Sequence, residues 1–155
     1  MAFVDELNIH IAAGKGGDGV YRMRHEKGKE FAGPSGGDGG KGGDVYVVGT
    51  RDLGLLFKYP HEKIFKAENG EDGKKDSYHG ANGDDLTIKL PIGSILKNLQ
   101  TGEITQILTE DEPILLLSGG DGGFGNEHFK SSIVQAPTRT TPGYPCEEGD
   151  YYIEL

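Results

Sequence analysis

The sequence predicts an all-β fold: a small β-barrel or sandwich base with glycine-rich polyproline II rods projecting from it. Three observations carry this prediction. Short apolar stretches alternate with polar residues at the two-residue period of half-buried strands, as in Leu7, Ile9, Ile11 and again in Leu86, Ile88, Leu90. No stretch carries the apolar stripe of a helix. Glycine recurs every third residue within GPSGGDGGKGGD in two registers, Gly33, Gly36, Gly39, Gly42 and Gly37, Gly40, Gly43. Three residues per turn is the period of the polyproline II helix and of neither α-helix nor β-strand.

Taken in order, residues 4–13 read as a strand that feeds a first glycine segment containing Gly14, Gly16, Gly17 and Gly19. A basic turn follows, Tyr21 to Lys29, and then the central rod, which enters a short strand rich in β-branched residues at Val45 to Val48. At about 3.1 Å per residue a twelve-residue rod spans about 35 Å. Leu53 to Tyr59 is an apolar patch, and residues 60–84 form a polar connection long enough to imply more projecting backbone. A strand over Leu86 to Leu90 leads to a hairpin turning at Gln100-Thr101-Gly102, where glycine suits a left-handed position. Pro113 to Ser118 reads as a buried strand entering a third glycine segment, Gly119, Gly120, Gly122, Gly123 and Gly125. The following residues hold too much Pro, Ser and Thr for a long helix, and Tyr151 to Leu155 starts another strand.

The glycines need a reason. Each one held in a fixed conformation costs about 0.5–1 kcal/mol more than alanine, so some fifteen of them forfeit on the order of 10 kcal/mol, as much as a domain's net stability. A flexible linker gains nothing from that period. Extended three-fold helices packed side by side do, because the missing Cβ lets backbones touch and exchange N–H to O=C bonds.

The 155 residues fit one domain, 1–155, with rods over about 14–44, 66–83 and 119–125. Its 27 glycines are more than twice the usual share of about 7%, and its hydrophobic content of 34% implies a thin core. Net charge is −9, all of it arising in residues 76–155, while the first half is balanced around the basic turn. Cys146 is alone and the five histidines are scattered, so neither a disulfide framework nor a metal site is drawn. No run is long and apolar enough to span a membrane and no signal peptide is recognisable, so a cytoplasmic location is expected.

Catalytic and nucleotide motifs fare poorly. G-x-G-x-x-G occurs at Gly14, Gly16, Gly19, but no amphipathic helix follows to make a dinucleotide site. No Gly-Lys pair has the upstream glycine and following Ser or Thr of a P-loop. Gly39 to Val47 fits one copy of a calcium β-helix repeat, with Asp44 as ligand, but lacks tandem neighbours. No local Ser-His-Asp or Cys-His spacing suggests a nucleophile.

FVDELNIHIAAGKGGDG, GPSGGDGGKGGDV, FKAENGEDG, DLTIKLPIGS and GGFGN with the later FKSS, in this order, resemble the glycine-rich N-terminal domain of the Obg GTPases over nearly the whole chain. The resemblance implies a non-catalytic ribosome-binding domain of a bacterial GTPase, with a domain binding GTP and Mg2+ after residue 155 and no cofactor in this chain. Its parent is expected to act in large-subunit (50S) assembly and in stress and growth control. The rods are expected to reach ribosomal RNA near the peptidyl-transferase region. Candidate RNA contacts are Arg22, Arg24, Lys27 and Lys29 in the first tip, Lys74 and Lys75 in a second, and Lys130 and Arg139 in a third. The alternative is a protein-interaction module that docks on its own GTPase domain or on a signalling partner through the acidic half. The chain departs from the family pattern at Ala32, where a Lys is more usual, and at Pro145, in place of a glycine.

Overall fold

The computed structural model describes residues 6–23, 33–51, 64–129 and 139–154. The described residues hold eight strands: β1 Glu6–Ala12, β2 Val45–Thr50, β3 Ile64–Lys66, β4 Leu86–Pro91, β5 Ile95–Asn98, β6 Ile104–Gln106, β7 Ile114–Leu117 and β8 Glu148–Glu154. They form a five-stranded sheet in the order β3-β1-β8-β5-β6 and a three-stranded sheet in the order β4-β2-β7. Of the two bases expected, the sandwich is what forms: the sheets stay open rather than closing into a barrel.

Alternation builds the core. On β1 and β8 the buried partners face each other across the ladder, Leu7 with Ile153 and Ile9 with Tyr151, and Leu96 of β5 packs beside Ile153. The other sheet contributes Val45, Val47, Ile88, Leu90 and Leu117 to the same cluster. Burial raises the pKa of the Tyr151 phenol, which hydrogen-bonds the Asn98 amide at the edge of this core. The hairpin between β5 and β6 turns as the sequence indicates, with Asn98 Oδ1 accepting from Gln100 and Thr101 N–H and Gly102 at φ 76°.

Three readings change. Within the connection expected over residues 60–84, β3 adds a parallel edge to the larger sheet. β7 is an edge strand with Leu115 52% exposed rather than a buried one, because among the described residues only β2 flanks it. β8 begins at Glu148, not Tyr151, and is paired on both sides. The apolar patch Leu53 to Tyr59 lies outside the described residues.

Six strands run on directly into extended rods: β1 into rod 1 (13–20), β3 into rod 3 (67–74) and β7 into rod 5 (118–126), while rod 2 (34–44) enters β2, rod 4 (78–85) enters β4 and rod 6 (139–147) enters β8. Rod neighbours inherit the strand pairings. Rod 3 lies parallel to rod 1 through Ala67, Gly70 and Gly73 N–H on the Ala12, Lys15 and Asp18 carbonyls, and rod 6 lies antiparallel to rod 1 through bonds from Ala13, Gly16 and Gly19. Every ladder advances by three residues.

The rods also bond across what are separate sheets in the base. Rod 1 donates from Gly14, Gly17 and Val20 to Gly43, Gly40 and Gly37 of rod 2, and rod 2 donates from Gly37, Gly40 and Gly43 to rod 3. A strand directs its amides within one plane, whereas a chain repeating every three residues radiates them in three directions. The third set is caught by side chains: Lys15 and Asp18 N–H by Asn69 and Asp72, Lys41 and Asp44 N–H by Asn82 and Asp85.

This arrangement explains the two glycine registers. A Cβ on Gly36, Gly39 or Gly42 would overlap carbonyls of rod 1, and one on Gly37, Gly40 or Gly43 would overlap carbonyls of rod 4. In the same way Gly14 and Gly17 abut rod 3, Gly16 and Gly19 abut rod 5, Gly119, Gly122 and Gly125 abut rod 2, and Gly120 and Gly123 abut rod 6. Gly33 differs, since its need for glycine is a φ of 102°. The residue after a glycine pair carries a side chain that bonds back into the bundle, as Asp18, Asp38 and Asp44 do to Gly143, Gly125 and Gly119 N–H. Burial pushes the Asp44 carboxyl up, but the Lys41 ammonium at 2.7 Å and the Gly119 N–H outweigh it and hold the pKa below the usual value.

Backbone overlap and backbone angle are separable. Gly39→Ala, against the Gly17 carbonyl, is expected to cost about 2–3 kcal/mol in urea unfolding, the upper part of the overpacking range. Gly102→Ala, with open space but positive φ, is expected to cost about 1 kcal/mol. Equal losses would contradict the packing account.

Candidate nucleic-acid interface

The rods leave the sandwich together, so their far ends meet. Continuity of the bonds locates this end: Ser77 N–H donates to the Ser35 carbonyl and Ser35 N–H to the Arg22 carbonyl, joining the tip of rod 1, the start of rod 2 and the turn between rods 3 and 4. Met23 and Pro34 form an antiparallel bridge beside them. Arg22, Lys74, Lys75 and Arg139 are thereby brought to one end of one bundle instead of to separate tips. Arg24, Lys27, Lys29 and Lys130 lie outside the described residues.

Each cation is presented differently. Arg22 is exposed, with Nη1 donating to the Tyr21 carbonyl at 2.8 Å. Lys74 lies 3.3 Å from the Glu71 carboxylate in an exposed pair, a contact of small net energy that a phosphate can replace. Lys75 opens a tight turn in which Asp76 and Ser77 both have positive φ, 59° and 63°, the backbone of a type I′ turn made without glycine. Lys75 and Asp76 are exposed at that turn, on a backbone conformation that costs energy. Arg139 sits over the Phe129 ring at 4.7 Å, a cation–π contact.

Aromatic rings cluster among these charges. Phe124 and His128 stack at 3.8 Å and 8°, and Phe129 meets His128 edge-on at 5.3 Å and 85°. Tyr78 is 68% exposed and Tyr21 45% exposed. His128 and Phe129 sit on a single 3-10 turn, Asn126–Phe129, which brings them against Phe124 near the end of rod 5.

Asn126 was not singled out by the sequence, and it fastens the tip. Fully buried, it accepts on Oδ1 from Gly36 N–H at 2.8 Å and Arg22 N–H at 3.2 Å, and donates from Nδ2 to the Arg22 carbonyl at 2.8 Å. Its own N–H donates to the Val20 carbonyl. One side chain thus ties rods 1, 2 and 5 beside the backbone bond from Ser35 to Arg22. The available signal was a lone Asn closing the third glycine segment.

Rod 6 also escaped the sequence reading. It holds a single glycine, Gly143, placed where it crosses the Gly16 carbonyl of rod 1. Thr141, Tyr144 and Glu147 N–H donate to rod 5 and Gly143 N–H donates to Asp18. Pro142 and Pro145 fill the remaining register, which asks for no donor. The departure at Pro145 is therefore compatible with the bundle.

The fold and the site define a class of domain: a two-sheet sandwich whose strands lengthen into one glycine-cored, backbone-bonded bundle with cations and aromatic rings at its far end. The GTP1/OBG family model matches residues 4–155, nearly the whole chain, and the chain belongs to that family.

Asn126→Ala removes the acceptor of the buried Gly36 amide and of the part-buried Arg22 amide and is expected to cost about 2–3 kcal/mol. Amide exchange checks the location: Gly36 and Arg22 should speed up while Val47 in β2 stays as in the parent chain.

Proposed function

We propose that this chain is the ribosome-binding domain of an Obg GTPase and that its rod tip meets ribosomal RNA of the large subunit near the peptidyl-transferase region. The observation that carries this reading is the convergence of Arg22, Lys74, Lys75 and Arg139 on the end of one backbone-bonded bundle, among exposed Tyr21, Tyr78 and Phe124. Cations position phosphates and aromatic rings stack on unpaired bases, the two elements of single-strand recognition. A bundle with glycine at its contacts is narrow for its length, which suits a crevice closed to a globular domain.

On this reading a GTP- and Mg2+-binding domain of the parent supplies hydrolysis, the bacterial cytoplasm is its setting, and large-subunit assembly and stress or growth control are its processes. A second reading rests on the other end: Leu99, Ile104, Leu108 and Leu115 are each more than half exposed around the open edges at β6 and β7. Such a surface suits a protein, either the chain's own GTPase domain or a signalling partner.

Co-sedimentation with purified large ribosomal subunits tests the first reading. Four phosphate contacts predict that binding weakens about a hundredfold between about 50 and 200 mM salt. Reversal of Arg22, Lys74, Lys75 and Arg139 to Glu should abolish it at both. Binding indifferent to salt and to the reversals would overturn the RNA reading in favour of protein docking.

A further inference from the structure

Between rods 2, 4 and 5 the tip holds an open cleft of about 310 Å³, lined by Gly36, Asp38, Ser77, His79, Glu127 and His128. That volume lies at the lower end of ligand pockets, about 300–1,000 Å³. No Lys or Arg lines it among the described residues, and two carboxylates do, so a phosphate is repelled from the cleft while the cations around it attract one. The cleft is suited to a ligand that is flat, neutral and rich in hydrogen-bond donors.

Planarity is supplied by His128, which lines the cleft and stacks on Phe124 at 3.8 Å, so a ring entering the cleft meets an existing stack. Phe129, edge-on to His128 and covered by Arg139, braces it from the side. Donor and acceptor groups are sorted too. Asp38 Oδ1 already accepts from Gly125 N–H at 2.8 Å, which fixes that carboxylate in place. His79 Nδ1 accepts the Asp38 N–H at 2.9 Å, so the neutral ring carries its proton on Nε2 and is a donor there. Glu127, half-buried, offers a second carboxylate.

We propose that this cleft takes an unpaired guanine of the bound RNA, stacked against His128 with its N1–H and N2–H2 edge on the Glu127 carboxylate. Guanine is the one standard base with two adjacent donors on its Watson–Crick edge, the pair that a carboxylate accepts bidentately. Adenine and cytosine offer an amino group beside a ring acceptor, and uracil offers a single N–H between two carbonyls. The guanine O6 and N7 are acceptors, matched by the His79 donor. RNA-binding proteins read single-stranded bases by this combination of stacking and edge contacts. The assignment rests on the RNA reading above and adds to it a base preference that cations alone do not give.

Fluorescence anisotropy with labelled ten-nucleotide RNAs tests it: oligouridine, and oligouridine with one central guanosine, adenosine or inosine. The guanosine oligomer is expected to bind about tenfold or more tighter than oligouridine, with inosine, which lacks the N2 amino group, returning most of that gain. Glu127→Gln should keep oligouridine affinity and lose the guanosine preference. His128→Ala should weaken the guanosine and inosine oligomers alike. Circular dichroism and thermal unfolding confirm that the variants are folded. Equal affinity for all four oligomers, a preference that survives Glu127→Gln, or no oligomer binding by a chain that still sediments with large subunits would overturn the guanine assignment alone. Failure to bind both oligomers and subunits would overturn the RNA reading with it.

Discussion

The hydrogen bond between neighbouring rods, repeated every three residues, is the interaction on which the rest of this structure depends. Each rod interior lacks the hydrophobic face that normally holds an element in place, so the backbone itself has to be the contact surface. Two backbones approach closely enough to bond only where no Cβ stands between them, and the carbonyls of Gly14, Gly17 and Gly40 occupy the spaces in which side chains of facing residues would otherwise lie. Glycine here is a packing residue. Its entropic cost on folding is offset by amides that find partners in three directions, with Asp18, Asp38 and Asp44 carboxylates supplying the acceptors the backbone lacks.

The sandwich and the bundle are two uses of the same strands. In the base, buried Ile11, Val47, Ile88, Leu96 and Ile153 separate two sheets by a layer of side chains. Beyond residues 13, 44, 67, 85, 118 and 147 that layer vanishes and the chains close up on each other. The outcome is a stem anchored by an ordinary core and continued by one that needs none. Among the described residues, Asn126 ties rods 1, 2 and 5 at the far end, beside the turn at Asp76 and Ser77.

Much of this was legible in the sequence because period reports packing. Rods 1, 2 and 5 are crossed on several sides and need glycine in more than one register, which writes a visible repeat. Rod 6, bonded to rods 1 and 5, needs one glycine, and its Pro142 and Pro145 read as an irregular loop. β3 is three residues long and pairs through the backbone of β1, so it leaves no alternation to detect. The openness of the sheets depends on which edges meet in space, as Leu115 on the unpaired side of β7 illustrates. At the tip, the cationic residues were visible as residue types. Their convergence was not, since it depends on contacts between residues far apart in the chain, such as Arg22 with Asn126 and Ser35 with Ser77. Asn126 and the cleft beside His128 arise from crossings of rods about 90 to 104 residues apart, which no local window registers.

The central claim is that rod amides are bonded as firmly as sheet amides. Native-state hydrogen exchange, resolved by residue, measures this directly. Gly17, Gly40, Gly70 and Gly123 should exchange within about tenfold of Val47 in β2, through a shared opening that unfolds bundle and base together. Exchange of those glycines at the rate of an unstructured peptide while Val47 remains protected would show that the rods are held by the sandwich alone, and the account would fail.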